Sequence, residues 1–292
     1  NSNPIYVAAS PFRYTDPTYT SFRTAYKNRT PMLYVGANDG ALHAFNATTG
    51  DEKLAYVPSL VYSNLARLPT NPYVHKYFVD GSPNAGDVLI GGSWRTVLVG
   101  GLRKGGQGYY ALNITDPGNF NEINAATLAL WEFSDADDRD MGYSYGDASI
   151  VQMSDGRWAA IIGNGYNNTA ADSYVSTTGN AAMYILMLDK PIGTAWTLNT
   201  NYYKIDTGVG KLQSVDLTTP NGLATPTAID IDEDNKIDYV YAGDLQGNLW
   251  KFDLRGTPST WTAASAYRLF TAKDGTAAQN PQPITSAPTV SR

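Results

Sequence analysis

A unit recurs four times along the 292 residues: an apolar run ending in glycine, a polar turn containing Gly or Asn, and a second apolar run closed by Asn or Asp. The copies are 33–36 with 41–46, 97–100 with 109–113, 160–163 with 183–189, and 239–243 with 248–253, closing on Asn46, Asn113, Asp189 and Asp253. Short β-branched and aromatic runs bounded by turn formers are strands, and paired runs are hairpins. An isolated hairpin buries too little to stand alone, so the four must stack on one another. The closing residues lie about 64 to about 76 positions apart, longer than the ~40 to 45 residues of a WD40 blade, which predicts blades with loop insertions. The fold class expected is all-β, a modified β-propeller with irregular blades of antiparallel strands. Strands at 146–151 and 224–229 precede the third and fourth hairpins, and residues 286–290 resemble those openings with no strands after them. Residues 31–292 are therefore expected to form about four blades plus the start of another, truncated before full ring closure. Residues 1–30, broken by Pro4, Pro11 and Pro17, read as an irregular lead-in with a short helix at 19–27. A β-sandwich with similar hairpins is the competing architecture.

Composition agrees with many short strands: 27 Gly, 21 Tyr and 16 Pro, with only 16% charged residues. A net charge of −6 excludes the basic face that nucleic acid requires. The chain has no cysteine, which removes disulfides, zinc thiolates and cysteine nucleophiles but leaves the compartment open. The longest apolar stretch, 181–188, falls far short of the ~18 residues of a membrane span. The chain opens on Asn1 with no charged-then-apolar leader, which predicts an excised piece of a longer precursor.

Between the strands at 224–229 and 239–243 lies the stretch 230–238, with carboxylates at Asp230, Asp232, Glu233, Asp234 and Asp238. A calcium ion takes six to eight oxygens at about 2.3 to 2.6 Å, and a loop can supply them from positions 1, 3, 5, 7 and 9. Those positions are Asp230, Asp232, Asp234, the main-chain carbonyl of Lys236, and Asp238. Asn235 stands at position 6, where the helical form of the loop has glycine, and Asn tolerates the left-handed backbone needed there. Position 12 is Tyr241 in place of the bidentate Glu, so the flanks are expected to be strands and Ca²⁺ is the expected cofactor. The bland alternative is a solvated acidic hairpin.

Other chemistry is sparse. His43, in a strand, and His75, in a Pro- and Tyr-rich loop, are the only histidines and read as structural. Asp135, Asp137, Asp138 and Asp140 miss the alternating spacing and read as a solvated loop. The glycine-rich run 100–108 lacks a Walker Lys-Ser/Thr and reads as a hairpin turn. The aromatic richness is expected mainly in strands, with an adhesive surface as the alternative. No catalytic residue is expected.

Residues 34–50, continuing to 55–59, together with 80–83, 141–144, 162–166 and the Asp loop, resemble the PilY/PilC family of type IV pilus biogenesis and tip-adhesin proteins. The resemblance implies a modified propeller with a nine-residue calcium loop, onto which Asp230, Asp232, Asp234, Lys236 and Asp238 fall position by position. It implies a role in pilus biogenesis, the balance of extension and retraction, twitching motility, surface adhesion and virulence. The partners implied are minor pilins at the pilus tip, with host-surface or glycan contact, on the extracellular face after periplasmic transit. A rival comes from the same stretch: 44–50 followed by Leu54 is similar to the docking motif of quinoprotein dehydrogenase propellers, with Asn46 for the usual Asp and Leu54 for the usual Trp. Fold likeness alone does not transfer that chemistry. A generic calcium-stabilised, carbohydrate- or surface-binding propeller is the third reading.

Overall fold

In the computed structural model, which describes residues 2–214 and 218–291, each repeat is the central hairpin of a four-stranded antiparallel sheet. The first sheet runs β1 (Ile5–Val7), β2 (Met32–Gly36), β3 (Leu42–Asn46), β4 (Glu52–Tyr56). The second runs β5 (Asn84–Ile90), β6 (Ser93–Gly101), β7 (Gly108–Asn113), β8 (Ala129–Ser134). The third is β9 (Ser149–Gln152), β10 (Trp158–Gly163), β11 (Ala182–Met187), β12 (Tyr202–Asp206). The fourth is β13 (Thr227–Ile229), β14 (Tyr239–Gly243), β15 (Asn248–Asp253), β16 (Ala266–Thr271). Every sheet meanders in chain order, as propeller blades do.

In the second and third sheets β7, β10 and β11 read as nearly unbroken apolar runs because a neighbouring sheet covers each face, whereas β15 of the fourth alternates buried and half-buried residues. Tyr110 and Leu112 of β7 enter a core shared with Met32, Tyr34 and Leu42 of the first sheet, while Tyr109 and Ala111 enter one shared with the third. Likewise Ala160 and Ile162 of β10 face the second sheet, and Ala159 and Ile161 face Val240 and Phe252 of the fourth. The alternation is the two-residue period of a strand. Among the described residues, three cores join the first sheet to the second, the second to the third and the third to the fourth. None joins the fourth to the first, and the sheets form an open arc.

In three of the four repeats the glycine that ends the first apolar run lies where a following segment crosses the sheet. A Cβ on Gly36 would meet the Val79 carbonyl oxygen at 2.2 Å, and one on Gly163 would meet that of Leu223 at 2.4 Å. Ile284 crosses Gly243 in the same way, its carbonyl oxygen 2.5 Å from the added atom, and its N–H donates to the Asp244 carbonyl. The tail therefore enters the position that opens each earlier blade, although no strand forms at 286–290.

The segment read as an irregular lead-in contributes regular structure. β1 pairs with β2 in the register Ile5 to Tyr34, and α1 (Pro17–Ala25) follows. Asp16 caps α1 by accepting from the Thr18 N–H at 2.7 Å, and Pro17 takes the first helical position, where its missing N–H costs nothing. Tyr19 and Phe22 form the buried face of α1, and the Tyr19 hydroxyl donates to Asp87 at 2.6 Å. A three-residue strand carries too little pattern to be seen in advance, which is why β1 went unpredicted.

Because strands alternate in direction, hairpins between first and second strands lie at one end of the sheets. The turns between second and third strands, with the links from one sheet to the next, lie at the other.

Candidate metal centre

Residues 230–238 form the hairpin between β13 and β14, closed by the pair Ile229 and Tyr239. The flanks are strands, as expected. Ile237 is buried in the core between the third and fourth sheets, and its N–H donates to the Gln152 carbonyl at 2.9 Å. The loop is thus fastened to the neighbouring blade's hairpin as well as its own. Asn235 takes φ +71°, the left-handed conformation expected of it. Glu233 also sits at φ +64°, which its sequence context did not suggest. Such a residue costs about 1 to 2 kcal/mol. The two left-handed residues let the N–H groups of Glu233 and Asn235 both reach Asp230, at 2.7 Å each.

The fold brings carboxylate oxygens of Asp230, Asp232 and Asp238 within 4.8 Å of one another. Ligands on opposite sides of a calcium ion stand about 4.6 to 5.2 Å apart, so three hard oxygens at this separation fit around one such cation. This acidic cluster can hold a metal ion. Asp234 stands outside the trio: its Oδ1 accepts the Lys236 N–H at 2.7 Å, and its Oδ2 lies 3.7 Å from the Lys236 ammonium. Asp238 Oδ2 accepts the Ile231 N–H at 2.7 Å while its own N–H donates to Ile229, so it belongs to loop and ladder together. Lys236 forms a parallel bridge with Gln152, a neighbour so distant in the chain that no local signal foretold it.

The second acidic stretch is not the solvated loop its spacing suggested. Asp138, with its side chain 7% exposed, accepts hydrogen bonds from the Tyr184 hydroxyl at 3.0 Å and the Tyr202 hydroxyl at 3.1 Å, and pairs with the Lys204 ammonium at 2.9 Å. Asp140 pairs with the same ammonium at 2.8 Å and accepts from Ser176. Burial works against the Lys204 charge, but the two carboxylates outweigh it and its pKa is raised. Asp135 lies nearer solvent, and burial followed by the Asp172 charge pushes its carboxyl up to about 6. Of the histidines, His43 is held between Asp39 at 2.9 Å and Glu52 at 2.5 Å, whereas His75 is exposed beside Tyr73 and Tyr77. The run 100–108 is the turn between β6 and β7.

The family model described as "PilY1 beta-propeller domain" matches residues 3–292. The chain belongs to the PilY1 β-propeller family. The resemblance to PilY/PilC proteins is thereby established over nearly the whole length. The type IV pilus biogenesis factor PilY1 of Pseudomonas aeruginosa PAO1 is 40% identical over 240 residues, covering 81% of the chain and 18% of that protein. A PilY1 homolog of Xylella fastidiosa is 36% identical over 298 residues, covering 99% of the chain and 21% of the homolog. The chain thus spans about a fifth of these relatives. The crystal structure of the P. aeruginosa PilY1 C-terminal domain superposes with a TM-score of 0.73 at 33% identity, covering 98% of this chain and 56% of that one. These matches make the open arc of four blades a PilY1 propeller.

Proposed function

We propose that this chain is a non-enzymatic, calcium-binding propeller of a type IV pilus tip-associated factor, active in pilus biogenesis and in setting the balance of extension and retraction. The observation that carries the reading is the convergence of Asp230, Asp232 and Asp238 on one hairpin of a PilY1 propeller. Asp234 would join them by turning away from Lys236, and the Lys236 carbonyl would supply a fifth ligand. The ion supplies charge: three carboxylates within 4.8 Å repel one another by about 1 kcal/mol per pair in water, and a divalent cation reverses that sign. Because Ile237 and Lys236 are tied to Gln152, order gained in the loop is passed to the third blade. Such a switch suits a surface that engages minor pilins at the bacterial exterior and supports adhesion, twitching motility and virulence.

Calorimetry with Ca²⁺ on the wild type and on Asp230→Asn and Asp234→Ala tests the site. Heats that survive both substitutions overturn it. Pull-down of minor pilins with and without a chelator tests the partner, and turnover of alcohols with pyrroloquinoline quinone would overturn the non-enzymatic reading.

A further inference from the structure

At the end of the sheets opposite the acidic loop, the connections between blades surround a groove that the metal reading leaves unused. It has a volume of about 760 Å³ and adjoins a second cavity of about 450 Å³, with the rings of Tyr145 and Tyr166 common to both. Sites of this size suit small ligands, ~300 to 1,000 Å³. Tyr145 and Tyr166 are 45% and 53% exposed and meet edge to face with centroids 6.2 Å apart, so two half-exposed tyrosines stand in the concave wall. The smaller cavity is mainly apolar, lined also by Leu223, Leu245 and Pro283.

The larger cavity is polar and its charges balance: Lys76 and Lys104 stand against Asp135 and Asp172. The Lys104 ammonium lies 4.8 Å over the Tyr77 ring, and the Gln107 amide donates to Asp172 at 2.6 Å and to Asp135 at 3.2 Å. Both Gln107 amide hydrogens are spent on these carboxylates, so the amide and carboxylate oxygens offer acceptors and the ammonium groups of Lys76 and Lys104 offer donors, the pattern that adjacent hydroxyls need. Tyrosine faces beside such groups accept the C–H face of a sugar ring. Other ligands fit less well. A polyanion would need a basic wall. An extended peptide would need a free strand edge, and an amphipathic helix an apolar trough; this end presents turns and charged walls. A cation at Asp135 and Asp172 would compete with the Gln107 amide group.

We propose that this groove binds a neutral oligosaccharide, stacking sugar faces on Tyr145 and Tyr166 and placing hydroxyls against Gln107 and Asp172. The calcium reading is independent of it, since the two sites lie at opposite ends and fail separately. The test is a microarray of neutral and sialylated oligosaccharides probed with the 292-residue chain, followed by calorimetry with the strongest neutral glycan. Binding of a neutral glycan is expected, weakened about tenfold by Tyr166→Ala and by Gln107→Ala. The same affinity is expected for Tyr267→Ala, which changes an exposed tyrosine on β16, and after chelation. Gln107→Ala, in a turn, decides the matter should Tyr166→Ala lower the melting temperature. Absence of any neutral glycan among the bound probes, binding of sialylated glycans alone, or an affinity unchanged by Gln107→Ala overturns the proposal.

Discussion

Two acidic stretches of similar composition meet opposite fates in this molecule. In 230–238 the Glu233 and Asn235 N–H groups donate to Asp230 and the Ile231 N–H donates to Asp238, and oxygens of Asp230, Asp232 and Asp238 converge within 4.8 Å. In 135–140, Asp138 and Asp140 turn inward and are neutralised by Lys204, with hydroxyls from Tyr184, Tyr202 and Ser176. Charge density alone thus says little about metal binding. What sets 135–140 apart is the Lys204 cation and the hydroxyl donors around Asp138 and Asp140, because a buried carboxylate must be paired.

The sharpest way to break this contrast is Lys204→Met, which strips both buried carboxylates of their cation. A loss of about 3 kcal/mol in urea unfolding is expected, and a loss below half of that would place the cluster in effectively aqueous surroundings. Next, Ca²⁺ at a hundredfold excess over its Kd should stabilise the wild type by about 2.7 kcal/mol. Asp230→Asn should abolish that gain, whereas Lys204→Met should keep it. Asp135 is expected to act through pH. Its folded pKa, about 6, lies above the ordinary 3.8, so the folded state holds the extra proton between those values and stability falls as pH rises from about 4 to about 6. Asp135→Asn should flatten that slope and, discounted for half exposure, stabilise at neutral pH on the order of 1 kcal/mol, read from melting curves across pH. The smallest effect belongs to Lys236→Ala. Its exposed pair with Asp234 at 3.7 Å is worth at most about 0.5 kcal/mol in unfolding, so calcium heats that rise on this change would show Asp234 freed for the ion.

Legibility followed burial. The central hairpins, β2 with β3 through β14 with β15, were readable because each buries apolar residues on at least one face, and on both in the second and third sheets. Of the outer strands, β9 and β13 were anticipated by the runs 146–151 and 224–229, but β4, mostly exposed, and β16, which leaves Tyr267, Leu269 and Phe270 in solvent, were not. The helix expected at 19–27 begins two residues earlier, because Asp16 and Pro17 form a start signal that the Pro-rich surroundings masked.

The sequence by itself determined the blade hairpins and the acidic loop, since strand periodicity and the spacing of nine consecutive residues are held by the covalent chain. Only the tertiary structure decided which carboxylates are neutralised and which tyrosines line a groove. Lys204 lies 66 residues from Asp138 and Gln107 lies 65 from Asp172, pairs that meet only once the blades have stacked. That stacking depends on packed volume and on the crossings at Gly36, Gly163 and Gly243, which no local pattern encodes.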